Sequence, residues 1–230
     1  MSVAGTDNAG VMAGWAQRGE QPRIAIVGVG MSGIAAAVKL EKAGYTDITL
    51  YEKADRVGGT WRENTYPGLS CDIPSRWYCF SFALKAEWSH RYSYGAEIQA
   101  YLQSVADQFG VTRRTRFNCP VTDLTYEAPR WRLTDGAGNR EWFDIVISAT
   151  GILHKPAYPA IEGLDTFAGD AFHSARWDHN VDTRGQRVGV IGTGSTAAQI
   201  VGAVTPQAGK MVVFQRTPQW MIGLPQKAYS

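Results

Sequence analysis

The chain has 230 residues, 44% of them hydrophobic and 11% aromatic, with a formal net charge of +2. That length supports a sizeable core in one or two domains, and the near-neutral balance argues against a basic nucleic-acid arm or a membrane-surface patch. No apolar run approaches the ~20 residues of a membrane-spanning helix.

Residues 1–22 are small and polar without a basic-then-apolar signal pattern, and read as a disordered leader. Arg23 to Val27 is a short apolar run leading into Gly28-Val-Gly30-Met-Ser32-Gly33. A run of this kind before a glycine loop reads as a buried parallel strand. A helix from Ile34 to Ala43 follows, with Ala36, Ala37, Leu40 and Ala43 on its expected apolar face and Gly44 as its stop. Ile48 to Glu52 completes a βαβ unit. Residues 58–82 are rich in glycine and aromatics, lack periodicity, and read as loops lining a site. Ala96 to Phe109 is helical, with Ile98, Tyr101, Leu102, Val105 and Phe109 on one face and Gly110 as its stop. Between residues 117 and 143 the pattern alternates and turns. Asp135-Gly136 and Gly138-Asn139 separate Trp131–Leu133 from Glu141–Phe143, which predicts a hairpin or meander. Ile145 to Ser148 is a further buried strand, and residues 152–184 are a proline-containing connection. Arg187 to Ile191, the loop Gly192-Thr193-Gly194-Ser195-Thr196-Ala197, a helix to about Val204 and a strand from Met211 to Arg216 repeat the unit.

The fold class is therefore α/β with two Rossmann-like dinucleotide-binding units, the second incomplete. The first glycine of such a loop permits the tight turn, the second lets backbone approach a pyrophosphate, and the third lets helix pack on strand, where Ala197 is a tolerated substitute. The helix N-terminus then offers free N–H groups to the phosphates. In each unit 24 positions separate the first loop glycine from the residue at the end of the second strand, which is Glu52 in one and Arg216 in the other. A carboxylate accepts from a ribose 2′-hydroxyl and repels a 2′-phosphate, so the first unit suits FAD or NAD. A guanidinium matches a phosphate fork, so the second suits NADP, with Thr217 as a further donor. Two dinucleotides in one chain most simply mean a flavin reduced by a nicotinamide. Cys71, Cys79 and Cys119 fit no zinc or CxxC spacing, so no metal is expected, and the odd count suits reduced thiols and a cytoplasmic location.

Between the two loops, Phe167-Ala-Gly169-Asp-Ala-Phe-His173-Ser-Ala-Arg-Trp177-Asp178 resembles the fingerprint of type I Baeyer–Villiger monooxygenases. Gly58-Gly59-Thr60-Trp61, Tyr66-Pro-Gly68, Cys71-Asp72, Ala149-Thr-Gly151 and Phe214-Gln-Arg-Thr-Pro218 are similar to the same family, so the resemblance runs from about Arg23 to Trp220. It implies FAD and NADPH as cofactors, and a ketone and O2 as substrates. The expected reaction passes through a flavin C4a-peroxide to an ester or lactone. It implies that Gly28, Gly30, Ser32, Gly33 and Glu52 hold FAD, with Gly59, Thr60 and Trp61 along the flavin. Asp72 would lie near flavin and nicotinamide, helping to position a catalytic arginine, and Tyr78 and Val121 would contact FAD. Gly192, Thr193, Gly194, Ser195, Thr196, Ala197, Gln199, Arg216 and Thr217 would bind NADP. Phe167, Gly169, His173 and Trp177 would couple domain movement to catalysis. The implied organisation is an FAD domain at 23–151, a linker at 152–184 and an NADP domain at 185–230. Arg62, Glu63 and Thr65 depart from the residues common in that family, leaving the substrate contacts open.

An open parallel sheet needs more strands than the second unit supplies. The chain is accordingly expected to be the N-terminal part of a longer enzyme, poorly stable and weakly flavin-retaining alone. Trp177 disfavours the related N- or S-oxygenating monooxygenases, which resemble it but usually carry Tyr or Phe there. A disulfide reductase would need a paired cysteine motif that is absent here. A non-catalytic nucleotide-binding remnant is the remaining alternative.

Overall fold

The computed structural model describes residues 21–229, so the expected leader lies outside the described residues except for its last two positions. The chain divides into two compact units. One holds the chain through Val57 together with Gln103–Gly151, and the other holds Gly58–Leu102 together with everything from Ile152 on. One boundary between the two units lies at Gly151. The allegiance of Gly58–Leu102 to the second unit is new.

In the first unit β1 (Ile24–Val27), α1 (Met31–Lys42) and β2 (Ile48–Tyr51) form the expected βαβ element, extended by β3 (Thr115–Arg116) and β7 (Ile145–Ser148). The four strands make one parallel sheet in the order β3-β2-β1-β7. Ile24, Ala25 and Ile26 are fully buried, as a central strand covered on both faces requires. The helix buries Gly33, Ile34, Ala37 and Val38. This face is rotated from the one expected: Ala43 is exposed, and Ala36 and Leu40 are only half-buried. The helix begins three residues earlier than the apolar pattern indicates, because the end of the glycine loop, Met31 to Gly33, already belongs to its first turn. Gly44, at φ +93°, ends it, with the Tyr45 N–H donating back to the Leu40 carbonyl.

The stretch predicted as a hairpin or meander is a three-stranded antiparallel sheet, β4 (Val121–Glu127), β5 (Arg130–Asp135) and β6 (Arg140–Phe143). Its first turn is at Ala128-Pro129, one hairpin more than the glycine signals reveal. The Asp135 carboxylate organises the second turn by accepting from the N–H groups of Ala137 and Asn139, each at 2.9 Å. Leu133 and Phe143 of this sheet join Ala25 and Tyr51 of the parallel sheet in one core cluster, with the Phe143 ring edge-on to Tyr51 at 6.0 Å. Strand alternation turns the neighbouring side chains of β1 to the opposite face, where α1 packs.

In the second unit α2 (Thr60–Glu63) is a single turn, and α3 (Gly95–Gln108) is a long helix whose C-terminal part continues into the first unit. Ile98, Tyr101, Leu102 and Val105 are buried, as the periodicity indicates. The proline-containing connection holds two short 3-10 turns, Leu164–Thr166 and Ser174–Arg176. β8 (Arg187–Ile191) and β9 (Lys210–Phe214) pair in parallel on either side of α4 (Ser195–Val204) in sequence. The last strand stops at Phe214, leaving Arg216 and Thr217 in the turn beyond it rather than in the strand. Residues 226–229 return to residues 89–92: the Arg91 N–H donates to Lys227 at 2.8 Å and the Tyr229 N–H to Ser89 at 2.9 Å.

Candidate dinucleotide and flavin site

The parallel register aligns the carboxyl ends of β1, β2 and β7 at Val27, Tyr51 and Ser148. The chain runs from β1 toward β2 on one side and reaches β7 on the other, so the first glycine loop lies at the point where strand order reverses. Ligands of open α/β sheets bind at such points. Gly28 has φ +96°, and a side chain there would meet the Ala149 carbonyl oxygen at 2.6 Å. At Gly33 an added Cβ would stand 2.0 Å from the Gly28 carbonyl oxygen. Gly30 is the N-cap of α1, with no side-chain cap and no acidic residue in the first turn. The first-turn N–H groups are thus left for an anion. Ser32 is exposed at this end.

Glu52 follows β2 directly and is only 4% exposed. One of its carboxylate oxygens accepts the Val29 N–H at 2.9 Å and the other accepts the Ala54 N–H at 3.1 Å. The acid is therefore fixed against the glycine loop. Val121 begins β4 and packs, half-buried, against the core cluster beside Val27 and Cys119.

In the second unit Gly192 has φ +118° with no atom within 4 Å of a Cβ added there, and the same space is open at Gly194. The contrast with Gly28 is chemical. At Gly28 the missing side chain makes room for protein backbone, whereas at Gly192 and Gly194 it leaves backbone bare. Gly194 is the N-cap of α4, again with no side-chain cap and no acid in the first turn. The Thr193 hydroxyl reaches the Thr217 carbonyl at 3.4 Å, joining the loop to the turn that carries Arg216. Ser195 is exposed and Ala197 half-buried.

The aromatic segment has its own geometry within this unit. Gly59 precedes α2 with φ +55°, and Thr60 begins that turn exposed. Trp61 Nε1 donates to the Tyr78 hydroxyl at 3.0 Å, and the two rings meet edge-on at 5.6 Å. Asp72 is exposed. Burial pushes the Tyr66 and Tyr78 phenols up, and the nearby Asp72 carboxylate adds to both shifts. The Cys71 thiol is raised by burial in the same way. Arg62 is 9% exposed and pairs with Glu63 at 3.0 Å, an inward-facing ion pair that sequence spacing does not signal.

Gln199 stands one turn along α4 from Thr196, with its carboxamide engaged by protein. Its Nε2 donates to the Ser70 carbonyl at 2.8 Å, and its Oε1 accepts the Tyr66 hydroxyl at 3.0 Å. In the sequence Tyr66 and Gly68 stand out only through a motif resemblance; their packing on α4 has no local signal beyond the turn-forming Pro67-Gly68 pair.

The fingerprint residues separate into roles. His173 caps the turn at residues 174–176, its Nδ1 accepting the Ala175 N–H at 3.1 Å. Trp177 packs with Tyr66, Ile200 and Val204 in the core of the second unit and meets Phe172 edge-on at 5.1 Å. A Cβ at Gly169 would touch the Phe167 ring at 2.7 Å, and Phe167 itself is 63% exposed. Among the described residues no helix is long and apolar enough to cross a membrane.

Residues 21–229 match the flavin-binding monooxygenase-like family, and the chain belongs to it. A Baeyer–Villiger monooxygenase of Streptomyces coelicolor is 46% identical over 213 residues, 92% of this chain and 41% of that protein. An uncharacterized monooxygenase of Mycobacterium tuberculosis is 50% identical over 92% of this chain and 43% of its own length. Among solved structures, an open form of cyclohexanone monooxygenase superposes with a TM-score of 0.84 at 35% identity, covering 91% of this chain and 42% of the other. A complex of OTEMO with FAD and NADP gives a TM-score of 0.84 at 36% identity over 92% of this chain and 42% of that one. The chain thus spans less than half the length of these relatives.

Proposed function

We propose that this chain forms the FAD- and NADPH-binding part of a Baeyer–Villiger-type monooxygenase, which inserts one oxygen atom of O2 beside a ketone carbonyl to give an ester or lactone. The observation that carries the reading is the opposite charge at equivalent positions beyond two uncapped glycine loops, Glu52 after the first and Arg216 after the second. The likeness to Baeyer–Villiger monooxygenases and to cyclohexanone monooxygenase supports the choice of reaction.

The residues fit the two cofactors. Gly28, Gly30, Ser32 and Gly33 offer the α1 N-terminus to the FAD pyrophosphate, and Glu52, fixed against the loop by Val29 and Ala54, would accept from the adenosine ribose. Val121 would lie along the same nucleotide through its backbone. Gly192, Thr193, Gly194, Ser195, Thr196 and Ala197 present bare backbone to the NADP pyrophosphate, and Arg216 with Thr217 would grip the 2′-phosphate. Gly59, Thr60, Trp61 and Tyr78 would border the flavin. FAD, reduced by NADPH, supplies the oxygen-activating chemistry when bound. This chain's contribution is to bind and orient the cofactors, and to present the Asp72 carboxylate near the Tyr66 and Tyr78 phenols. That carboxylate would hold a cationic partner in place near the reacting groups. His173 and Trp177 brace the connection through 152–184 on the second unit.

Calorimetric titration of the purified protein with NADP+ and NAD+ tests the cofactor assignment. NADP+ is expected to bind more tightly. Arg216→Ala is expected to weaken NADP+ by about 10- to 150-fold, the equivalent of one lost charged hydrogen-bonding partner, while leaving NAD+ nearly unchanged. Product analysis with NADPH, O2 and a cyclic ketone or a thioether tests the reaction. Sulfoxide without any lactone, or tighter binding of NAD+ than NADP+, would overturn the reading.

A further inference from the structure

We propose that Gln199 is a positioning residue that registers the Asp72 loop on the helix of the second glycine loop, and is not itself a ligand of the nucleotide. The proposal rests on the functional reading above only for the importance of Asp72; the latch itself is local geometry.

The Gln199 amide closes a two-sided pair with the backbone of one residue. Its Nε2 donates to the Ser70 carbonyl at 2.8 Å, and its Oε1 accepts the Ser70 N–H at 3.4 Å. The Tyr66 hydroxyl donates to the same Oε1 at 3.0 Å. An amide offers two donors and two acceptor lone pairs, so three of its four capacities are spent within the protein. Tyr66 also lies 3.4 Å from the Thr196 hydroxyl in the first turn of α4. Tyr66 is 7% exposed and packs on Ile200 and Val204, so the pair is backed by apolar contact.

The close approach has a backbone requirement. Gly68 sits at φ +81°, and a Cβ there would stand 2.6 Å from the Gln199 carbonyl and 3.0 Å from Ala203 Cβ. Thr196, Gln199 and Ala203 form one stripe of α4, at helical spacing, and the chain from Tyr66 to Ser70 covers it. Asp72 follows Ser70 by two residues. A ligand that draws on the Thr196 hydroxyl therefore acts on Tyr66, and through Gln199 on the chain that carries Asp72.

The test compares wild type with Gln199→Met, which keeps length and apolar volume and removes every polar contact. Tyr66→Phe is a milder second variant that keeps the Gln199–Ser70 pair. Amide hydrogen exchange over residues 66–73 and calorimetric NADP+ affinity are measured for each. Without nucleotide, exchange of this segment is expected to rise about 10-fold or more in Gln199→Met and by less in Tyr66→Phe. In wild type NADP+ is expected to add protection at 70–73. In Gln199→Met that protection is lost while NADP+ affinity stays within about 3-fold of wild type. Unchanged exchange in both variants overturns the latch. So does a fall in NADP+ affinity beyond about 10-fold with unaltered exchange, which would make Gln199 a ligand. Failure of wild type to bind NADP+ would instead overturn the functional reading, with the nucleotide-free exchange still deciding the latch.

Discussion

The two loop-opening glycines allow a matched experiment. Gly28 and Gly192 occupy equivalent places and both have positive φ, +96° and +118°. Alanine at either adds backbone strain of about 1–3 kcal/mol. At Gly28 alone the new methyl also meets fixed backbone, 2.6 Å from the Ala149 oxygen and 3.0 Å from its carbonyl carbon. Neither atom can rotate away, so overpacking adds about 1–3 kcal/mol more. Gly28→Ala should therefore lower stability by about 2–6 kcal/mol in total, and Gly192→Ala by only the strain. With an m-value near 2 kcal/mol/M, these correspond to urea-midpoint drops of about 1–3 M and about 0.5–1.5 M. The assay is a urea titration read by amide exchange in β1 for one variant and β8 for the other. Equal drops, or a larger one at Gly192, would refute the close approach of Ala149, just after β7, as the source of the difference.

Gly68→Ala combines positive φ with the 2.6 Å approach to the Gln199 carbonyl, and should cost about 2–6 kcal/mol, read as a lowered melting temperature. Glu141 gives a pH prediction. Its carboxyl is held below its ordinary value by its hydrogen bond with Arg116, with the Tyr51 hydroxyl adding to the effect against the opposing cost of burial. A lowered pKa in the folded state gives a contribution fully present above about pH 4.5 and lost as pH falls through the lowered value. Glu141→Gln should therefore flatten the acid limb of first-unit stability between neutral pH and pH ~3, checked by urea midpoints across that range.

The βαβ elements are legible in the sequence because their signals are local. An apolar strand, a glycine loop and a helix stop at Gly44 lie within a few turns of one another. The same holds for the buried face of α3. Where the signal is non-local, the reading is less complete. The buried face of α1 is the one carrying Gly33, which packs against Gly28, and no count of alanines records that. The turn at Ala128-Pro129 lacks the Gly or Asn that marks its neighbour. The allegiance of Gly58–Leu102 depends on Tyr66 meeting residues more than 130 positions away, among them Gln199, Ile200 and Val204. In the candidate site, the glycines, Glu52 and Arg216 stand out by their spacing alone. The engagement of Gln199 by Ser70 is not, since a glutamine on a nucleotide helix reads equally as a ligand or as a brace.

The boundaries at Val57, Leu102 and Gly151 mean that the polypeptide passes between the two units three times. Neither unit is a continuous stretch of sequence. A cut in the connection at 152–184 would not release an autonomous flavin-binding piece, because residues 58–102 would remain covalently bound to the first unit while their packing partners left with the other fragment. Deletion mapping along this chain should then report losses that belong to both nucleotide sites at once. Exchange of one nucleotide unit between relatives would have to transplant two separated segments together.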